Sequence, residues 1–415
     1  MKLKNRRALF AVVLVFLVVG FLETVLGLLA FMSPRVDWLL APSLHPRALP
    51  DALLGYRPNP VYPGHDRQGF RNLDVPANAQ VVALGDSQTY GTGVDLADAW
   101  PRQLESLTGK SVYSMAFGGY GPTHSLVLWD EAVALSPTVI IEAFYVGNDI
   151  YDSFSFVYNN GQLPGLKSSD PQVQARVQEA EQSDPIAPRV SRMFHMRAQA
   201  VAKTEGAATL TPDSFSLMKL LSEHSRVYGI FRNVWSTGIR LMNNADTPQE
   251  KWVKAKAFAD AHPAYTQVFS DEQFKTIFTS EYRLAALDLG DPRIEEGLQI
   301  SLRAMQRMYE FASAKNIPFF VVLIPTKEAV FRPLWKDPSA SYRSLAEHEK
   351  RVRKITKAFL EQNGIEYLDA LPALQEQLMT GAQPYQVSHD GHPNEQGHKA
   401  IAKLVASHLA SSKIP

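Results

Sequence analysis

The sequence predicts an α/β fold in three layers. A central parallel sheet of about five strands is covered by helices on both faces, with a helical insertion and one N-terminal transmembrane helix. Three features carry this expectation. Short apolar runs ending in Gly, Asp, Ser or Asn alternate with helical periods, as buried parallel strands do. That rhythm stops at Tyr151 and resumes near Leu289. An apolar run from Ala8 to Met32, broken by the single charge Glu23, precedes everything else.

Lys2, Lys4, Arg6 and Arg7 make residues 1–7 a basic tail. The run at 8–32 exceeds the roughly 20 apolar residues that span a bilayer. It reads as a retained signal anchor rather than a cleaved leader, because no small-x-small cleavage site stands near Leu29–Pro34. The basic cluster stays in the cytoplasm, so the chain after Ser33 is expected to face the periplasm or exterior, tethered to the inner membrane by a single pass. Glu23 is costly in lipid and is expected to snorkel towards the interface, with pairing to a partner helix as the alternative. Residues 33–79, rich in Pro, Asp, Asn and Arg, read as a tether that becomes a packed collar.

From Gln80 the βα pattern begins. Gln80–Leu84, Ser111–Ser114, Thr138–Val146, Pro318–Ile324 and Ile365–Leu368 are the expected strands. Helices are expected over Trp100–Leu107, Thr123–Leu135, Tyr342–Asn363 and Asn394–Ser411. Another is expected where Ile294, Leu298, Leu302, Met305, Tyr309 and Ala312 fall on one stripe. The insertion, at about 155–290, holds helical segments such as Phe215–Leu221 and Glu250–Asp260 and no convincing strand.

Composition narrows the function classes. The 415 residues balance 42 basic against 42 acidic side chains, which excludes a bulk electrostatic footprint for nucleic acid. With no cysteine there is no disulfide, thiolate nucleophile or Cys-ligated metal.

Four motifs fall at the carboxyl ends of expected strands or in the loop opposite, where open α/β sheets place their sites. They are Gly85-Asp86-Ser87, the segment Ser114–Gly121, Gly147-Asn148-Asp149, and His389-Asp390-Gly391-His392-Pro393-Asn394. Acyl transfer needs a nucleophile, a base, a group orienting the base, and donors for a developing oxyanion. Ser87 is the candidate nucleophile, His392 the base and Asp390 its orienting carboxylate. The Ser87 and Gly119 N–H groups and the Asn148 amide are the candidate oxyanion donors. His389 is the alternative base. A metal site is the rival reading, since His389, Asp390, His392 and His398 crowd one segment while Asp86 and Asp149 stand at other strand ends. A non-catalytic glycan-binding envelope protein is a second rival.

The order of these blocks resembles the SGNH hydrolase superfamily, the GDSL-type esterases and lipases. Gly85-Asp86-Ser87 matches the first block and Gly119 the glycine block. Gly147-Asn148-Asp149 matches the third in a tighter form, and Asp390-x-His392 stands where Asp-x-x-His is usual. The resemblance covers 80–152 and about 294–411. It extends to a membrane-linked branch that includes polysaccharide O-acetylation proteins, through the anchor, Gly69-Phe70-Arg71-Asn72 and Ile324-Pro325-Thr326-Lys327-Glu328. It implies a flavodoxin-like hydrolase domain over 80–415. The implied chemistry is a serine hydrolase with no cofactor and no metal, acting on an acylated small molecule or glycan. An O-acetyl ester is the expected substrate, and transfer to a sugar hydroxyl is the alternative outcome. Tyr120, Tyr145, Tyr151 and Phe154 lie near the motifs and could stack on a sugar ring, with core packing favoured for Tyr145.

Overall fold

The computed structural model describes residues 2–32, 46–62, 64–186, 225–231, 234 and 247–412. The expected helix at Phe215–Leu221 and most of the tether lie outside them. The chain divides into two compact units.

The first unit comprises Met1–Asp51, Tyr56–Leu73 and Leu210–Thr247. Helix α1 runs over Lys2–Met32, and its stretch Val13–Met32 is long and apolar enough to cross a membrane. Strands β1 (Ala48–Asp51) and β2 (Gly55–Pro58) pair in a two-stranded sheet. The collar then turns about Asp66, which accepts from the Gln68 and Phe70 N–H groups and from the Asn72 amide at 2.8, 3.2 and 2.9 Å. Residues 69–72 thus serve the turn that buries Phe70. The Glu23 carboxylate accepts from Ser225, Arg226 and Val227 of the same unit. A carboxylate in an apolar helix takes donors wherever the chain can supply them.

The second unit holds the α/β domain. In chain order its elements are β3 (Val81–Gly85), α2 (Ser87–Tyr90), α3 (Trp100–Thr108), β4 (Val112–Ala116), α4 (Pro122–Val127), α5 (Trp129–Ala134), β5 (Val139–Tyr145) and α6 (Asp149–Phe154). They continue with α7 (Pro171–Ser183), α8 (Pro248–Ala261), β6 (Gln267–Ser270), β7 (Lys275–Phe278), α9 (Ser280–Leu287), α10 (Pro292–Ala314) and β8 (Phe319–Ile324). The last are α11 (Lys327–Phe331), α12 (Ala340–Gln362), β9 (Glu366–Asp369), α13 (Ala370–Met379) and α14 (Glu395–Ser411). The sheet runs β4-β3-β5-β8-β9, every pairing parallel. This is the flavodoxin-like order, and its direction reverses between β3 and β5, whose carboxyl ends therefore open a crevice.

Strands β3, β5 and β8 are buried on both faces, which is why they read as unbroken apolar runs. Val81, Ala83, Ile141, Ala143, Phe320 and Val322 share one core with Trp100 and Leu104 of α3 and with Ile401 and Val405 of α14. On the other face α10 packs against α4 and α6.

Two expectations need correction. The helix expected over Thr123–Leu135 is two helices meeting at Leu128. The insertion contains a strand pair, β6 with β7, antiparallel and in register from Gln267↔Phe278 to Ser270↔Lys275. Four-residue strands offer too few alternations to register as a period.

Candidate active site

The site is built at the switch between β3 and β5, where the Gly85↔Ala143 pairing ends. Gly85 has φ +150°, and a Cβ there would stand 2.6 Å from Thr89 Oγ1 and 3.0 Å from Ala143 O. Only glycine lets β3 pass this close to its neighbours and turn at once into a helix. Asp86 caps that helix by accepting from the Gln88 N–H at 2.8 Å. Ser87 is its first residue and stands half-buried at the mouth of the crevice.

The opposite wall is the segment before α14. Asn394 caps α14 by accepting from the Gln396 and Gly397 N–H groups at 3.0 and 3.1 Å. Just upstream, Asp390 Oδ1 accepts twice from one residue, from the His392 backbone N–H at 3.0 Å and from its Nδ1 at 2.6 Å. His392 Nε2 lies 2.8 Å from Ser87 Oγ. The relay Ser87–His392–Asp390 is continuous, with Nδ1–H held by the carboxylate and Nε2 left to accept the serine proton. A two-residue loop suffices because Asp390 reaches both the backbone and the ring of His392. Gly391, between them, admits the Arg283 guanidinium, whose Nη2 lies 2.7 Å from where a Cβ would stand.

His389 faces elsewhere, its ring stacked on Phe258 at 4.1 Å. His398 is fully buried, its Nδ1 accepting from the Trp100 N–H at 3.2 Å. Asp390 and His392 therefore face each other, while the other two histidines of the segment are engaged away from them.

The third wall is the glycine block. The Gly118 Cα packs beside Ser87, a Cβ on it falling 3.8 Å from Ser87 Cβ. Gly119 follows at φ +80°, inside a turn closed by Tyr120 N–H to Phe117 O at 3.1 Å. The buried His124 ring fixes this turn from below. It stacks on Tyr120 at 4.6 Å and its Nδ1 accepts from the Gly121 N–H at 3.2 Å. Burial lowers the His124 pKa to about 3, so the ring stays neutral and able to accept.

Asn148 lies past the end of β5, before α6. Its Nδ2 donates to Asp152 Oδ2 at 2.5 Å. Asp149 Oδ2 accepts from the Tyr145 N–H at 2.8 Å and folds the turn back onto the strand. An amide nitrogen carries two protons, so Asn148 can hold Asp152 with one and offer the other to a developing charge.

No family model and no curated protein matches the chain. Among solved structures it is similar to a candidate lipolytic protein of the G-D-S-L family from Desulfitobacterium hafniense DCB-2. That match has a TM-score of 0.34 and 11% identity, covering 80% of this chain and 99% of the other. It is also similar to a candidate acylhydrolase from Bacteroides fragilis NCTC 9343, with a TM-score of 0.34, 12% identity and coverage of 81% and 91%. A GDSL-like lipase from Bacteroides thetaiotaomicron VPI-5482 gives 0.32, 11%, and coverage of 80% and 88%.

Beneath the site lie two carboxyls that sequence reasoning missed, Asp152 and Glu142. Burial pushes Asp152 up to about 8, with the Asn148 amide offsetting part of the rise. Burial likewise pushes Glu142, in mid-β5, up to about 8. Asp86 and Asp149 are raised by burial as well. Protonated, Asp152 and Glu142 add no negative charge beside the candidate oxyanion donors. Asp152 did leave a signal, since it stands four residues from Asn148, one helical turn on the same face.

Lys327, of the Ile324–Glu328 motif, is a third missed residue. It is 1% exposed. Its Nζ donates to the carbonyls of Ile277, Ser388 and Asp390 at 2.7, 2.8 and 2.9 Å, with Thr276 Oγ1 at 3.2 Å. The neighbouring Thr326 caps α11 by accepting from the Ala329 N–H and is itself bound to Glu349. The expected sugar-stacking aromatics mostly do not line an opening. Tyr120, Tyr145 and Phe154 are buried, leaving only Tyr151 half-exposed.

Proposed function

We propose that the chain is a serine esterase of the SGNH type, working through an acyl-serine intermediate. The single observation that supports this reading is the unbroken relay from Ser87 Oγ through His392 to Asp390. In the reaction Ser87 Oγ attacks the ester carbonyl as its proton passes to His392 Nε2. The tetrahedral oxyanion takes donors from the Ser87 and Gly119 N–H groups and from the Asn148 amide. His392 then protonates the departing alcohol, and water, deprotonated by the same ring, releases the acid and restores Ser87.

The finer reading is an O-acetyl ester on an envelope or extracellular glycan, with α1 as a single-pass inner-membrane anchor and the domain facing outward. It rests on the resemblance of the motifs and on the basic tail before an apolar run. The test is a chromogenic acetyl ester offered to the purified chain, with and without an oligosaccharide acceptor. Acetate release in both conditions is expected. Acetylated oligosaccharide in place of acetate would make the protein a transferase, and no turnover of any acyl ester would overturn the esterase reading.

A further inference from the structure

Among the described residues Glu23 interrupts the one helix suited to a membrane, and its three hydrogen bonds say why it is tolerated there. Its Oε1 accepts from the Ser225 hydroxyl and, at 3.1 Å, from the Val227 N–H; Oε2 accepts from the Arg226 N–H at 2.9 Å. Ser225 Oγ in turn accepts from the Tyr228 N–H at 3.0 Å. The first N–H groups of the short helix at 226–231, which have no partner within their own helix, are thus satisfied. A carboxylate and free N–H groups are each expensive in hydrocarbon, and here they cancel.

The exposure of α1 changes at the same point. From Val13 to Leu22 every residue is exposed. From Glu23 on, Glu23, Val25, Leu26 and Gly27 are half-buried and Ala30 is buried, and all of these but Val25 share one helix face. The Arg226 guanidinium lies against it, 3.7 Å from where a Gly27 Cβ would be. Meanwhile Phe231 is 64% and Val234 68% exposed.

Length then places the contact. The uninterrupted apolar stretch Ala8–Leu22 covers about 22 Å, short of an apolar layer of roughly 30 Å. Starting from Arg7 at the cytoplasmic edge, the remaining distance includes Glu23 through Gly27, the turns on which the segment sits. We propose that residues 225–231, with Val234, form a second membrane-contacting element, with Phe231 and Val234 in lipid and Glu23 as the residue that holds the segment to the anchor. The inference rests on α1 spanning the bilayer, as proposed above.

The chain has no cysteine, so single-thiol variants are clean. The full chain in lipid nanodiscs is labelled with an environment-sensitive dye at Val13→Cys, Phe231→Cys or Val234→Cys. Each is challenged with nitroxide-bearing lipids and, separately, with a water-soluble nitroxide. Lipid nitroxides are expected to quench all three dyes, and the aqueous quencher to act weakly. Adding Glu23→Ala should abolish lipid quenching at Phe231 and Val234 while leaving Val13 unchanged, and Glu23→Gln, which still accepts, should retain it. Lipid quenching at Val13 with aqueous quenching at 231 and 234 overturns the proposal while the anchor stands. Aqueous quenching at all three refutes the spanning anchor instead. Unchanged quenching in Glu23→Ala refutes the holding role of Glu23.

Discussion

Lys327 Nζ lies 2.9 Å from the carbonyl oxygen of Asp390 and 2.8 Å from that of Ser388. A buried ammonium thus grips the underside of the loop that carries His392, and ties it to β7 through the Ile277 carbonyl. Displacing catalytic groups by about 1 Å can cost on the order of 100-fold in rate. Lys327→Met should therefore lower kcat by roughly 10- to 100-fold with KM little changed. Labelling of Ser87 by a fluorophosphonate should slow in parallel. A variant that loses melting temperature but keeps the wild-type kcat would leave Lys327 with no part in positioning the loop.

Ser87→Ala should abolish ester turnover and fluorophosphonate labelling, with a loss of several orders of magnitude in kcat. His392→Ala should cost nearly as much, and the double variant almost nothing more, because the two act as one unit. Asp390→Asn keeps the shape but lets the ring take the wrong tautomer, so it should fall by up to about 10⁴. His389→Ala should be mild, since that ring packs on Phe258. Greater damage from His389→Ala than from His392→Ala would move the base.

Asn148→Ala removes one oxyanion donor and should cost about 10²–10³ in kcat with KM nearly unchanged. Asp152→Ala, which frees the Asn148 amide to rotate, should give a smaller loss of the same kind. Measured as a cycle, the two losses should be less than additive. Fully additive losses would separate Asp152 from the oxyanion site.

Glu142 gives a stability signature. Its folded pKa, near 8, lies above the ordinary 4.5, so between these values the folded chain holds a proton that the unfolded chain has released. Stability is then fully present below about 4.5 and falls as pH rises towards 8, at no more than about 1.4 kcal/mol per pH unit for one group. Melting temperature should fall from pH 5 to pH 8. Glu142→Gln should flatten that slope in part, with Asp152 contributing the rest. An unchanged slope would mean that Glu142 does not carry the proton.

Much of the fold was legible because β3, β5 and β8 are buried on both faces and their sequences are correspondingly continuous. The candidate triad was legible for a related reason: Ser87 and Asn148 close strands, and His392 stands just before the cap of the last helix. The remainder was hidden by its chemistry. The acceptors around Lys327 are mainly backbone carbonyls of Ile277, Ser388 and Asp390, which no residue type announces. Arg283 reaches Gly391 from α9, within an insertion whose local pattern has no tie to the site. The partners of Glu23 lie about two hundred residues downstream, in a segment with no sequence feature pointing back to the anchor.

Ser87 and His392 meet across 305 positions of the chain. During synthesis the serine emerges with the first strand of the central sheet, and its proton acceptor only just before the closing helix. A stalled or truncated chain therefore holds a serine with the reactivity of any alcohol. The contact is made when Glu395–Ser411 docks beside Trp100–Thr108 and brings the imidazole with it. The Ser87–His392 pairing therefore belongs only to a chain whose last helix has been made and packed.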